Sequence, residues 1–300
     1  LSEPLFVVVN PSSGRGRGAT LVEPLLSALG RGGAVVEHAL TTQAGDEAAL
    51  AEKAIGRGFR TIVAVGGDGT WSNVANEILR SGAPVRLGLV PGGTGCDLIK
   101  SLGFPGRDLP SCARIILEGK TRTIDVGRIE NKHFLNVAGF GYDIAVIEHS
   151  WRVRLLRGEL LYLYSAIRQI YSFPGFRVEL QAGDQPPSQQ DLLMLIIANG
   201  QMFGGTFRIA PTAQLADGQL DAVGFSNMSL PARLRMIGRL VRGTHEGSKA
   251  VSTTRASTFR LRFREPPAYE TDGEWNRARS AELLVSSIPG ALRVLAPVGP

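Results

Sequence analysis

Two cysteines in 300 residues leave no disulfide framework to staple a small fold, and neither Cys96 nor Cys112 stands in a Cys/His spacing that would hold zinc. So few thiols fit a reducing cytoplasm, the compartment expected here. No apolar run approaches the roughly 18–20 residues needed to span a bilayer. Residues 1–9 also lack the basic start and long apolar core of a secretory signal. Internal repeats, low-complexity tracts and an acidic tail are missing, which excludes solenoid and disordered architectures. The chain contains neither a G-x-x-x-x-G-K-S/T phosphate loop nor a protein-kinase catalytic loop. Helix-turn-helix, RNP-like and zinc-finger signatures are absent as well, so a formal net charge of +6 is poor support for nucleic-acid binding. Charged residues make up 20% and hydrophobic ones 43%, the balance of a globular chain. A chain of 300 residues exceeds the usual single core, and two domains are expected.

What is present begins with Gly66-Gly67-Asp68-Gly69-Thr70, directly after the apolar run 62–65 and before a helical pattern near Trp71. Strand, glycine loop and helix start form the junction at which α/β folds bind phosphate. The glycines permit positive φ and let a polyphosphate approach the backbone N–H groups. Asp68 is the unusual member. Inside a phosphate cradle a carboxylate repels its ligand unless a divalent cation or a transferred proton lies between them, so the loop reads as catalytic as well as binding. A tight turn with Asp68 as helix cap is the plainer alternative. Three similar junctions accompany it: residues 5–9 run into Asn10-Pro11-Ser12-Ser13-Gly14, residues 35–40 into Thr41-Thr42, and residues 87–90 into Pro91-Gly92-Gly93-Thr94-Gly95. Helical stretches near residues 20–29, 46–57 and 71–79 separate them. Four strands alternating with helices, each ending in Gly, Ser, Thr or Asn, describe a ligand crevice at the carboxyl edge of a parallel sheet.

In this order and spacing, NPSSG, Thr41, GGDGT and PGGTGCD resemble the catalytic domain of the diacylglycerol kinase family, which includes sphingosine and ceramide kinases and soluble bacterial lipid kinases. The resemblance continues through residues 136–143, Asn199-Gly200 with Phe203-Gly204-Gly205, residues 211–221 and the late Asp272-Gly273-Glu274 motif. It covers about the whole chain. One departure is Cys96, which stands where the family usually has Asn before the aspartate kept here as Asp97.

The family implies an ATP-dependent lipid kinase with Mg²⁺, an α/β amino-terminal domain of the NAD-kinase/diacylglycerol-kinase-like type, and a mainly antiparallel β-sandwich carboxy-terminal domain. It assigns nucleotide contacts to Asn10, Ser12, Gly14, Thr41, Gly66, Gly67, Asp68, Gly69, Thr70, Gly93 and Thr94. Asp68 would orient the phosphates through Mg²⁺. Glu274 resembles the residue regarded as the proton acceptor, facing the nucleotide from the second domain, and Asp97 is the competing base. A further Mg²⁺ in the second domain would use Asp217 with main-chain oxygens of Gln214 and Gln219. Two alternatives stay open: an NAD-kinase-like small-molecule kinase, and a non-catalytic lipid- or nucleotide-binding homologue.

After about Arg122 the βαβ alternation ends. Short strands are expected at 123–128 and 133–138, joined by the hairpin signal Glu130-Asn131-Lys132, and again at 176–180, 192–198, 220–225, 258–263, 282–285 and 292–295. Domains of residues 1–124 and 125–300 follow. Two stretches interrupt the strands at helical spacing, residues 151–171 with Arg152, Arg154, Arg157 and Arg168, and residues 230–241 with Arg233, Arg235 and Arg239. Basic helices with aromatic margins suit an anionic bilayer surface, where a lipid-alcohol substrate would be met. Two ordinary helices with solvated arginines are the alternative. The expected partners are therefore a lipid acceptor and an anionic membrane surface, with no nucleic acid. The protein would be cytoplasmic and transiently membrane-associated, and a homodimer is compatible with the chain.

Overall fold

The computed structural model describes residues 3–153 and 158–297. Two compact units emerge, one of Leu1–Val126 with Pro289–Pro300, the other of Gly127–Ile288.

The first unit opens with β1 (Leu5–Val9), α1 (Ser13–Thr20), α2 (Val22–Arg31), β2 (Val36–Leu40) and α3 (Asp46–Gly56). It continues with β3 (Thr61–Gly66), α4 (Asp68–Ser81), β4 (Arg86–Pro91), α5 (Asp97–Ser101), α6 (Leu109–Glu118) and the start of β5 (Thr121–Ile129). Strands β4, β3, β1 and β2 lie side by side and parallel, with Val9 opposite both Val65 and Leu40 and with Gly66 opposite Pro91. Their carboxyl ends therefore share one edge. Every residue of β1 and β3 is buried, as expected for strands covered on both faces. Leu25 and Leu29, one helical turn apart on α2, pack with Cys112, Ala113 and Ile116 of α6 against Val7, Val9, Val63 and Val65. Trp71 of α4 is also fully buried, and its indole N–H donates to the Ala64 carbonyl at 3.1 Å.

Helix α4 starts at Asp68, three residues before the expected point near Trp71. Extended Gly67 (φ −105°, ψ −170°) precedes it, and the Gly67 carbonyl accepts from Trp71 N–H at 3.0 Å. Asp68, Gly69 and Thr70 are thus the first helical turn. Glycine frequency hid that boundary.

The second unit contains β6 (Lys132–Phe134), β7 (Val137–Gly141), α7 (Tyr142–Arg152), α8 (Gly158–Ser172), β8 (Phe176–Ala182), β9 (Ser188–Ala198) and β10 (Leu220–Ser226). After these come α9 (Leu230–Arg242), β11 (Val251–Ala256), β12 (Thr258–Arg262), β13 (Ala268–Thr271), β14 (Glu274–Arg277) and the first half of β15 (Glu282–Leu295). Its pairings are antiparallel: β9 between β7 and β8 and also against β10, β12 between β8 and β15, and the β13–β14 hairpin beside β7. The expected hairpin is present, with Ile129 opposite Lys132. Along β9 the side chains alternate: Leu195 and Ile197 pack with Phe140, Phe259 and Tyr269, while Ile196 and Ala198 pack with Val223, Phe225, Met236 and Leu240. The two strands expected at 282–285 and 292–295 belong to one long element, β15, whose first half pairs with β12 and whose end pairs with β4, with Gly290 at positive φ (59°) between the two halves.

The helix expected over 151–171 differs more. Helix α7 already begins at Tyr142, and α8 occupies Gly158–Ser172. Arg154 and Arg157 lie outside the described residues. Arg233 is not a solvated cation of a basic face. Its guanidinium donates to the carbonyls of Ile170 (2.7 Å), Phe173 (3.1 Å) and Met228 (3.0 Å) and to Asn227 Oδ1, closing the last turn of α8.

Candidate active site

At the carboxyl edge of the first unit's sheet, three loops are tied together by hydrogen bonds between residues far apart in sequence. Asn10 Oδ1 accepts from Ser12 N–H (3.1 Å), and Asn10 Nδ2 donates to Thr70 Oγ1 (3.1 Å) and to Glu47 Oε1 (3.0 Å). The Gly66 carbonyl accepts from Gly92 N–H (2.8 Å) and Gly93 N–H (3.0 Å), while Thr41 N–H continues the sheet to the Val9 carbonyl at 2.8 Å. Asn10, Thr41, Gly66, Gly67, Thr70 and Gly93 are therefore brought together. Ser12 and Thr94 sit exposed on the same loops. The side chain of Asn10 commits its polar groups to the loops themselves, which makes it a shaping residue.

The glycines serve a different purpose from the one their composition suggests. Positive φ occurs at Gly14 (56°), Arg15 (61°) and Gly16 (91°), not at Gly66, Gly67 or Gly69. In GGDGT and PGG the lack of a side chain instead permits close packing of loop on loop. A Cβ on Gly66 would stand 2.5 Å from the Thr70 side chain, one on Gly93 2.5 Å from Gly67 Cα, and one on Gly14 2.1 Å from the Gly92 carbonyl oxygen.

Asp68 begins α4 yet caps another helix. Its Oδ1 accepts from the N–H groups of Asp97 (2.8 Å) and Leu98 (3.2 Å), the first turn of α5. The plainer alternative for this residue was thus half right, with the cap made across the fold. Burial, and then the negative charge of Asp97, push the Asp68 carboxyl above the usual carboxylate range, against the pull of those N–H groups. Two neighbouring carboxylates that oppose each other's charge are a donor set that fits a divalent cation. Asp97 itself is buried and paired with Lys100 at 2.7 Å.

Two residues with no sequence signal complete this edge. Arg107 clamps the PGGTGC loop, donating to the Thr94 carbonyl at 2.9 Å, to the Gly93 carbonyl and to Cys96 Sγ at 3.3 Å. Cys96 is left-handed (φ 53°, ψ 53°), and burial pushes its thiol up to about 12. Glu47 is the other, a buried carboxylate beneath Asn10 and Thr70.

In the second unit the DGE motif divides its work. Asp272, left-handed at φ 49°, accepts from the N–H groups of Leu135 (2.7 Å), Asn136 (2.9 Å) and Val137 (3.1 Å) and so anchors the start of β7. Gly273 supplies the turn at φ 88°, and its N–H donates to Glu270 Oε2 at 2.5 Å. Glu274 follows as the half-exposed first residue of β14. Asp143, in the first turn of α7, is buried with neither carboxylate oxygen hydrogen-bonded, and desolvation pushes it up to about 7. Asp217 accepts from Gln219 N–H at 2.9 Å and faces Arg255 at 3.7 Å. Of the trio Gln214, Asp217 and Gln219 expected at a second cation, Asp217 is thus engaged by a guanidinium and by the Gln219 N–H in this structure.

The Diacylglycerol kinase catalytic domain family matches residues 4–129, and the YegS C-terminal NAD kinase beta sandwich-like domain matches residues 136–296. A diacylglycerol kinase of Mycobacterium tuberculosis (strain ATCC 25618 / H37Rv) is 30% identical over 97% of this chain and 94% of its own length. A probable YegS-like lipid kinase of Pseudomonas aeruginosa (strain UCBPP-PA14) is 31% identical over 87% of this chain and 84% of its own. Among solved structures, a diacylglycerol kinase from Bacillus anthracis str. Sterne superposes with a TM-score of 0.75 at 20% identity, covering 98% of this chain and 97% of that one, a likeness of fold. Two domains joined in this order on a parallel-sheet unit and an antiparallel one define the class. The chain belongs to the diacylglycerol kinase family of lipid kinases, whose co-substrate is ATP.

Proposed function

We propose that the protein transfers the γ-phosphate of ATP to the hydroxyl of a lipid alcohol of the diacylglycerol type. The observation that carries this reading is the interlocked edge of the first unit, where loops 10–14, 66–70 and 91–97 meet beside the start of α4. That helix directs its positive dipole end and first-turn N–H groups at an anion, and Asp68 with Asp97 would hold the Mg²⁺ that neutralises the phosphates. Glu274 takes the proton of the acceptor hydroxyl as its oxygen bonds to the γ-phosphorus and ADP leaves. Half exposure on a turn anchored by Asp272 suits Glu274 to this role better than Asp97, which is buried and committed to Lys100.

A lipid acceptor is favoured over a small polar one by a groove of about 390 Å³ in the second unit, whose lining joins Phe140, Ile144, Phe173, Phe176 and Phe263 to the charged Glu148, Arg177, Arg264, Glu265 and Arg277. Bilayer contact falls to α8 and α9. Tyr164, Ile167 and Tyr171 share one face of α8 and are 46%, 48% and 61% exposed, with Arg168 among them. On α9, Leu234 and Val241 are exposed beside Arg235, Arg239 and Arg242. No helix among the described residues is long and apolar enough to cross a membrane.

Incubating purified protein with radiolabelled ATP, Mg²⁺ and a panel of lipid alcohols in mixed micelles tests the proposal. Label should enter a lipid. Labelling of NAD with none in any lipid would move the reading to the small-molecule kinase.

A further inference from the structure

Among the buried acids of the first unit, Glu47 has no part in the chemistry proposed above, yet it hydrogen-bonds two of the nucleotide loops, through Asn10 and Thr70. It is the second residue of α3 and 3% exposed. Its Oε1 accepts from Asn10 Nδ2 at 3.0 Å and from the Thr70 hydroxyl at 3.4 Å, and its Oε2 accepts from Gly45 N–H at 3.1 Å. No lysine, arginine or histidine among the described residues is paired with it. A buried carboxylate satisfied only by neutral donors is retained at a desolvation cost, so what it orders matters.

What it orders is the direction of each bond around it. A carboxylate accepts at both oxygens and donates at neither. One Asn10 amide hydrogen must therefore point to Glu47 and the other to Thr70 Oγ1, which turns Asn10 Oδ1 toward Ser12 N–H and fixes the course of loop 10–14. The Thr70 hydroxyl hydrogen is directed to Glu47, leaving the first turn of α4 in one rotamer. We infer that Glu47 is a positioning residue: from the first turn of α3, it holds the loops after β1 and β3 in the form that receives nucleotide phosphates. This rests on the proposal that ATP binds at this edge.

Glutamine cannot replace it. Its amide nitrogen would face either Gly45 N–H or the Asn10 amide, donor against donor, whichever way it turned. The swap Asn10→Asp with Glu47→Gln is different, because the carboxylate moves to residue 10 and still accepts from Ser12 N–H. It also receives the amide N–H now at position 47, while the amide oxygen there takes Gly45 N–H.

The test measures amide hydrogen exchange of the nucleotide-free protein, steady-state kinetics and Mg·ATP affinity for wild type, Glu47→Gln and the swap. In Glu47→Gln, exchange across residues 11–14 and 67–70 should speed up, and the ATP Kd and KM should rise about 10- to 100-fold, the cost of one or two mispaired buried groups. The KM for vesicle-presented diacylglycerol should stay within twofold. The swap should return loop protection toward wild type even where its relocated charge weakens ATP. A folded Glu47→Gln protein with unchanged loop exchange and an ATP KM within twofold of wild type overturns the inference, as does a swap that restores nothing. If Glu47→Gln fails to fold, loop protection in the swap alone decides. Wild type that binds no Mg·ATP would instead defeat the proposed function.

Discussion

Cys96 holds the left-handed N-cap position of α5 with a side chain poorly suited to it. Left-handed backbone costs an ordinary residue roughly 1–2 kcal/mol, and Asn tolerates it better because its amide bonds locally. Cys96→Asn, which also restores the residue usual in the family, should raise stability by about 0.5–1 kcal/mol in urea denaturation. A lower midpoint would mean that the buried contacts of Sγ with Arg107 and the Gly93 carbonyl outweigh the strain. Asp143 gives the opposite kind of test. Burial disfavours its charge and pushes its carboxyl up to about 7 from the ordinary 3.8. The native state therefore binds the proton more tightly than the unfolded chain. Its contribution is fully present below pH 3.8 and is lost as pH rises toward 7. Asp143→Asn should thus gain on wild type progressively from about pH 4 to 7 and hold a constant lead above, read from urea midpoints across pH. A pH-independent difference would show that the carboxyl is ionised throughout.

At the scale of elements, β1 and β3 were legible in the sequence because strands buried on both faces are continuous apolar runs, and each was bounded by turn residues. The start of α4 was not legible. Two glycines masked a helix whose first turn is stabilised by contacts with other loops. Helix α5, of five residues, and the short β13–β14 hairpin lie below the length at which periodicity can be seen. Arg233 shows the same limit from another side, since a basic residue at helical spacing is equally a surface cation or a clamp on a neighbouring helix end. Tyr164, Ile167 and Tyr171, by contrast, remain outward on α8. Replacing all three by Ser should lower partitioning to anionic vesicles at least about tenfold in sedimentation assays, since each removed side chain gives up about 1 kcal/mol or more of buried apolar area. Affinity for Mg·ATP should not move. Replacing Arg168, Arg235 and Arg239 by Gln should flatten the salt dependence of the same binding. Unaltered vesicle binding in both sets would place the contact elsewhere.

For the molecule as a whole, Glu274 of the second unit and Asp97 of the first are the two carboxylates whose substitution tells which takes the proton. Glu274→Gln keeps the size of the side chain and removes its basicity, so kcat should fall by ~10²–10⁴ while the Kd for Mg·ATP stays close to wild type. Asp97→Asn disturbs the Lys100 pair and the residue whose charge opposes Asp68, and should act mainly on binding. The reverse pattern, with kcat retained in Glu274→Gln and lost in Asp97→Asn, would reassign the base. Much of what makes these expectations specific was local and could be seen in the chain: apolar runs ending in Gly, Ser, Thr or Asn, the absence of other phosphate motifs, and alternation that changes period after about residue 122. Such features depend on neighbours a few residues apart, where backbone sterics and side-chain periodicity act directly. Partnerships across the fold were not visible. Asp68 bonds 29 residues away, Asn10 to Glu47 37 residues away, and Asp272 to Leu135 137 residues away. A buried polar group takes whichever donor the packed tertiary structure leaves within reach, because desolvation makes an unmade bond costly, and nothing in local spacing says which donor that will be.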